Sequence, residues 1–146
     1  MTSSKDLFLA LKSMMPQDFP IKFSYIDLVT SDGREMNVTK NTAAVYFRAA
    51  GDPEQRDVSS GRYLVNQYRV VINVFTDRGE AGVLSGIEYC DKICDAFETL
   101  FNKQISIDTD TKVYIIDCQR MGSPQYVGPT KQGIASFSLN FLLKFY

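Results

Sequence analysis

Three cysteines carry the most reactive side chains in this sequence. Cys90 and Cys94 are four positions apart, a spacing that places both thiols on one helical face, where they could bind a metal ion or respond to oxidation. No second pair of metal-ligating residues lies nearby in the sequence, so we predict that both are small apolar side chains of the core. Cys118 has no histidine to activate it, because the chain contains none, and we predict that it also packs in the core.

Carboxylates and short motifs point to no reaction. Asp108-Thr109-Asp110 resembles the start of a calcium loop, but the glycine and the final glutamate of that motif are missing. Dinucleotide-binding, phosphate-binding and nucleophile-elbow patterns do not occur in the sequence. The lack of histidine removes the commonest general base. We therefore predict a protein that is not an enzyme, with no catalytic residue, metal site or cofactor.

Length and charge indicate one globular domain that spans residues 1–146. The formal net charge of −1 gives no general attraction to nucleic acid or to anionic lipid. No apolar run approaches the roughly 20 residues of a transmembrane helix. The N-terminal apolar stretch is too short for a secretory signal, so we expect the chain to work in a reducing cytoplasm.

A strand followed by a long helix forms the centre of the chain. Apolar residues occupy both sides of the alternating pattern in Gln67–Phe75, which predicts a strand covered on both faces. The helix should be capped by Asp77, with Glu80 three residues later, and should end at Asn102, which tolerates the left-handed backbone conformation. The following apolar residues recur at spacings of three and four and should face a sheet: Val83, Leu84, Ile87, Cys90, Ile93, Cys94, Phe97, Leu100 and Phe101.

Shorter elements flank this centre. Ser3 should cap a short amphipathic helix that Pro16 ends. Alternating patterns predict further strands over residues 19–29, 43–48, 112–118 and 135–146. The last of these is the clearest, with Ala135 and the aromatic and leucine residues that follow it on one face. That regular alternation is typical of a core strand rather than of an exposed aromatic platform for RNA.

Two polar segments interrupt the elements. Ala49–Arg62 should be a polar loop or the tip of a long hairpin, and glycine and proline in Arg120–Gly133 predict a long loop without regular structure. The predicted order is α–β–β–loop–β–α–β–loop–β. The predicted fold class is α+β: a mixed, mostly antiparallel sheet with one long helix packed across a face and a short N-terminal helix.

The segment YLVNQYRVVINVFTDRGEAGVLSGIEYCDKICDAFETLF resembles the strand–helix centre of the tail terminator proteins of long-tailed bacteriophages, also called tail completion or minor tail proteins. The segments KVYIIDCQRMGSPQYVGPTKQG and GIASFSLNFLLKFY match a strand, a loop with proline and glycine, and a closing strand in the same order. The resemblance extends from about Ala43 to Tyr146. It rests on the pattern and order of elements rather than on an invariant motif.

The resemblance implies a structural virion protein. Related proteins form a ring, hexameric where known, that caps the head-proximal end of the tail tube, ends tube polymerisation and offers a docking face to the head connector or stopper protein. The implied partners are copies of the same chain, the tail tube protein and that connector, without a membrane and without sequence-specific binding to nucleic acid. The implied location is the tail or neck of the virion, after assembly in the host cytoplasm. Passage of the genome would favour a neutral or acidic lumen.

Five side chains in or beside the polar segments are candidates for contacts with neighbouring subunits or with the tube. Arginine and tyrosine are enriched at protein interfaces, and loops that project from a sheet can reach a neighbouring subunit. The candidates are Arg56, Arg62, Arg120, Tyr126 and Lys131. For each of them the alternative is a solvated loop residue without a partner.

Other functions stay open at this point. The nearest alternative is another phage neck protein, such as a head completion or stopper protein. A small carboxylate-dependent hydrolase or transferase would require a pocket with convergent ionisable groups. A nucleic-acid-binding module would require binding that weakens as salt is added.

Overall fold

The computed structural model describes residues 3–23, 41–49, 55–56, 63–129 and 134–145. Two helices and a mixed sheet make the fold α+β, as predicted, and the long helix packs across the sheet. The elements in chain order are α1 (Ser4–Met14), β1 (Ile21–Phe23), β2 (Thr42–Ala49), β3 (Gln55–Arg56), β4 (Tyr63–Thr76), α2 (Glu80–Glu98), β5 (Lys103–Ser106), β6 (Lys112–Arg120), β7 (Gln125–Pro129) and β8 (Ala135–Phe145).

The sheet is built around the two longest strands, β4 and β8. Its strand order is β1-β2-β4-β8-β6-β5, with β3 also paired with β4 and β7 also paired with β8. Only β1 and β2 run parallel among the described pairs; the others are antiparallel. The register aligns Val70 with Phe141 and Ile72 with Leu139, so apolar side chains of both strands share the face that the helices cover.

Both faces of β4 are largely buried, which confirms the prediction from its continuous apolar run. Val70, Ile72 and Val74 belong to the main core beneath the helices. Val71 and Phe75 alternate with them and are also buried, with exposed fractions of 3% and 0%. The inward face of β8 is buried from Ala135 to Phe145, as its alternation predicts.

Two strands were not predicted. β5 is short and its burial alternates only around Ile105, so its pattern is too weak to recognise without its partner β6. β7 lies inside the segment 120–133, where the prediction of no regular structure is wrong. Its glycine and proline occupy a register shift and the strand end, two positions where a strand tolerates them.

Several predictions fall on residues outside the described ranges. Within the strand predicted over 19–29, residues 19–20 are not strand and Ile21–Phe23 form β1, while residues 24–29 lie outside the described ranges. In the first polar segment, β3 pairs antiparallel with β4, which agrees with the hairpin alternative for Gln55–Arg56.

The short N-terminal helix α1 begins and ends as predicted. The Ser3 side chain accepts a hydrogen bond from the Asp6 backbone N–H at 3.1 Å, which satisfies one of the free donors of the first turn. The helix ends at Met14, two residues before Pro16. Leu7, Ala10 and Leu11 are buried and join the same core as α2.

The start of α2 differs from the prediction. Its N-cap is Gly79, with φ of 95°, and no side chain caps the helix there. The Asp77 carboxylate instead accepts from the Arg78 backbone N–H at 2.9 Å. A left-handed N-cap favours glycine, and this geometry takes Asp77 out of the capping position. The end of α2 also differs, because the helix ends at Glu98 with Thr99 as its C-cap, four residues before the predicted end at Asn102. Asn102 does adopt the left-handed conformation, with φ of 47°, and its N–H donates to the Ile116 carbonyl at 3.0 Å.

The orientation of α2 about its own axis also differs from the prediction. Gly86, Tyr89, Cys90, Ile93, Cys94 and Phe97 are buried. Leu84, Ile87 and Phe101 are 57%, 45% and 66% exposed, although the spacing assigned them to the core stripe. Gly86 allows the helix to approach the sheet, and the Tyr89 hydroxyl donates to the Pro16 carbonyl at 2.9 Å. Neither residue contributes to an apolar pattern, so the pattern predicts a face rotated away from the real one.

Candidate interaction surface

An apolar groove lies between α2 and the sheet edge at β7. It encloses about 470 Å³ and is lined by Val83, Ile87, Cys90 and Asp91 of α2, Pro124 and Tyr126 of the edge, and Phe137 of β8. Asp91 is the only charged residue of this lining. A concave apolar surface with one polar group can hold an apolar side chain and orient it through that group.

Gly86 and Phe137 bring the two walls of the groove together. A Cβ atom on Gly86 would overlap the ring of Phe137, so only glycine allows the helix backbone to lie this close to β8. Tyr126 is the register partner of Phe137 across β7 and β8, and their ring centroids are 5.4 Å apart. This aromatic pair therefore forms the sheet side of the groove, opposite α2.

A bend between β6 and β7 sets the far wall. Both strands pair with β8, and Met121 bridges them because its N–H donates to the Asn140 carbonyl at 2.8 Å. Gly122 has φ of 92°, a conformation that is readily available to glycine. The bend returns the chain to β8 at Gln125 and places Pro124 and Tyr126 opposite α2.

Exposed apolar side chains lie at this groove. We call this set the α2–β7 patch: Ile87 and Tyr126 of the lining, which are 45% and 53% exposed, and Leu84, which precedes Ile87 by one helical turn and is 57% exposed. Among the described residues, the other exposed large hydrophobic side chains are Phe23, Phe101, Met121 and Val127. Single exposed apolar residues are ordinary on a protein surface, but a set of them at a groove indicates a contact site.

The charge beside the groove is mainly negative. Helix α2 carries five carboxylates and one lysine, a net charge of −4. Arg120 at the end of β6 lies against this helix, with its Nη1 atom 4.0 Å from Glu98 Oε1. A hydrogen bond to the Cys94 thiol and the charges of Glu98 and Asp91 raise the pKa of Arg120. The guanidinium therefore stays charged and offsets part of the helix charge.

Cys90 and Cys94 are apolar core residues, as predicted, and Cys118 is partly buried against the same core. Cys90 and Cys94 are buried and all three thiols are free. Burial raises the pKa of Cys90 from 9.0 to about 12, and burial raises that of Cys118 to the same value. Burial also raises the pKa of Cys94, although Arg120 opposes the shift. At neutral pH these groups are protonated, and a protonated thiol is a poor nucleophile and a poor metal ligand.

The structure brings two of the five candidate contact residues together. Arg120 and Tyr126 lie on the same sheet edge, next to α2. Arg56 lies in β3, on the far side of β4, and is not part of this surface. Arg62 and Lys131 lie outside the described residues. Sequence reasoning missed Leu84 and Ile87 as surface residues because their spacing assigned them to the core.

The described part of the chain holds no group of three or more histidine, cysteine or acidic residues placed to bind a metal ion. None of its helices combines the length and the apolar character that crossing a membrane requires.

Comparison of the sequence with known protein families gives no match, and comparison with curated proteins gives none either.

Proposed function

We propose that this protein is a structural component of the tail or neck of a long-tailed bacteriophage. In this proposal, copies of the chain form a ring that caps the head-proximal end of the tail tube, ends tube polymerisation and presents a docking face to the head connector. The proposal starts from the resemblance carried by residues 43–146. The strand β4 followed by the sheet-packed helix α2, with β8 closing the sheet, is the arrangement that this resemblance implies.

The α2–β7 patch is the observation that carries the proposal furthest. Three large apolar side chains, Leu84, Ile87 and Tyr126, are between 45% and 57% exposed at a groove of about 470 Å³. Leaving such side chains in water costs free energy that a partner's surface would recover, at about 25 cal/mol for each Å² buried. Rings and tubes need a contact surface of this kind on every subunit.

The test is assembly on tail tubes. Purified protein would be mixed with tail tubes, and electron microscopy would show whether it binds at tube ends and whether tube elongation stops. Native mass spectrometry would give the number of copies in the bound assembly. We expect a closed ring at one end of the tube and no binding along its sides. A protein that stays monomeric at high concentration and never associates with tubes would refute the proposal.

Two variants locate the contact within that experiment. Tyr126→Asp introduces a charge into the α2–β7 patch, and Thr109→Asp introduces the same charge at an exposed position between β5 and β6. We expect Tyr126→Asp to reduce tube binding at least tenfold, because a central interface aromatic commonly contributes 2 kcal/mol or more, as an order of magnitude. Thr109→Asp should bind as the unaltered protein does. Binding to filled heads without any capping of tubes would instead favour a head completion or stopper protein.

A further inference from the structure

We propose that Phe101 of one subunit inserts into the groove between α2 and β7 of a second copy of the chain. Phe101 is the most exposed large hydrophobic residue among those described, at 66%. The groove is the complementary feature, since its lining is apolar except for Asp91. The contact is inferred from these two surfaces; its closure into a ring rests on the proposed function.

Hydrogen bonds fix the backbone from which the Phe101 side chain projects. The Phe101 N–H donates to the Thr99 carbonyl at 3.0 Å, and the next residue, Asn102, donates its N–H to the Ile116 carbonyl at 3.0 Å. The Tyr114 hydroxyl is 3.0 Å from the Asn102 side-chain oxygen, to which it donates. An aromatic ring on an ordered corner loses little conformational entropy when it binds, so this corner favours association.

Phe101 cannot fill the groove of its own chain. Ile87 in the groove and Glu98 at the helix end are eleven residues apart in α2, about 16 Å at 1.5 Å per residue, and Phe101 lies beyond that end. A contact between the two features therefore joins different copies. Because the projecting ring and the groove are different surfaces, each copy keeps one of each for further neighbours, and such head-to-tail contacts produce rings or filaments.

One charge of each sign lies near the two surfaces. Asp91 lines the groove and carries a negative charge. Lys103 follows Phe101 by two residues, in β5 at the start of the ladder with β6. When the ring enters the groove, this ammonium can approach the Asp91 carboxylate. Opposite charges at the rim mainly improve the orientation and the rate of association.

Photo-cross-linking tests the contact directly. The photoreactive amino acid p-benzoylphenylalanine would replace Phe101 in the full chain, and ¹⁴N- and ¹⁵N-labelled copies would be mixed before irradiation. The mixed isotopes show whether a cross-link joins two chains. We expect links between chains to peptides that contain residues 83–91 or 124–126. No such link at about 1 mM protein, a concentration that detects very weak association, or links confined to other surfaces, would overturn the proposal.

Complementation between variants tests the head-to-tail geometry. Phe101→Asp removes the projecting ring and Ile87→Asp blocks the groove, and each should weaken self-association at least about 30-fold. A mixture of the two variants retains one intact ring and one intact groove, so it should form dimers but nothing larger. Thr109→Asp, at an exposed position between β5 and β6, is the control for the added charge and should associate as the unaltered chain does. Circular dichroism would verify that every variant is folded.

A charge exchange gives an independent readout. Asp91→Lys alone and Lys103→Asp alone should each weaken association up to about fivefold, the range of an exposed ion pair. The double variant should recover most of the loss. Failure of this recovery together with the absence of groove cross-links would refute the contact while leaving ring formation open. Groove cross-links in an assembly that stops at dimers would instead support the contact and refute the ring.

Discussion

Replacement of Ile93 by alanine should destabilise the fold far more than the same replacement at Ile87. Ile93 is fully buried and Ile87 is 45% exposed, although both lie in α2 and six residues apart. Deletion of a buried isoleucine side chain to alanine costs about 2–5 kcal/mol, because apolar burial is lost and a cavity remains. The surface replacement should cost less than about 1 kcal/mol.

Comparison of Ile93→Ala with Ile87→Ala removes the contribution of helix propensity from the difference in unfolding free energy. Alanine has a higher helix propensity than isoleucine by a few tenths of a kcal/mol, and this gain is the same at both positions in one helix. The difference between the two variants therefore reports burial alone. With a central cost of about 3 kcal/mol at Ile93, the midpoint of thermal unfolding should fall by roughly 6–12 °C for a chain of this size.

Urea unfolding followed by circular dichroism would measure both free energies. The measurements should be made at low micromolar concentration, so that association through the α2–β7 patch does not stabilise the chain that carries Ile87. Equal losses at the two positions would refute the orientation of α2 described here. A larger loss at Ile87 would mean that the apolar spacing, rather than the observed packing, identifies the core face.

Three further predictions concern the same helix and its ends. Gly86→Ala should destabilise the fold by about 1 kcal/mol, since overpacking against Phe137 costs more than the gain in helix propensity. Adding Phe137→Leu should remove most of that penalty in a double-mutant cycle. If Gly86→Ala alone stabilises the fold, the close approach of the helix to Phe137 is contradicted. Asn102→Ala should lower the free energy of unfolding by about 1–2 kcal/mol, because alanine is strained at the φ of 47°. Asn102→Gly should lose only the hydrogen bond to Tyr114, about 0.5 kcal/mol in chemical unfolding. Equal losses in the two variants would exclude backbone strain. The raised pKa of Cys90 favours the neutral thiol in the folded state. The stabilisation from this thiol should therefore be fully present below pH 9.0, its ordinary pKa, and should be lost as the pH rises towards about 12. If Cys90→Ala shows the same dependence of unfolding free energy on alkaline pH as the unaltered chain, this thiol does not contribute.

Local pattern alone predicted the elements whose identity depends on near neighbours in the sequence. The alternation in Ala135–Phe145 defines β8 because a strand with one apolar face has period two. Ser3 caps α1 because its side-chain oxygen reaches an N–H three residues away, as the 3.1 Å contact to Asp6 shows. The left-handed conformation of Asn102 was predicted from its residue type, although α2 ends four residues earlier, at Glu98.

Tertiary structure alone decided which side of α2 is buried. Apolar residues cover more than half of its circumference, so spacing cannot distinguish the arc with Ile87 from the arc with Ile93. The choice was made by contacts between distant residues, namely the close approach of Gly86 to Phe137 and the hydrogen bond from Tyr89 to Pro16. It left Leu84 and Ile87 on the surface.

The candidate surface likewise required the folded chain. The residues of β7 show no strand pattern, because β8 supplies the hydrogen-bonding partners that make them a strand. That pairing brings Tyr126 opposite Ile87, which is 39 positions earlier in the sequence. Sequence reasoning could select Arg120 and Tyr126 as residue types that favour interfaces, but only long-range pairing placed them beside an exposed side of α2. A groove is a property of two surfaces held together, and no single segment encodes it.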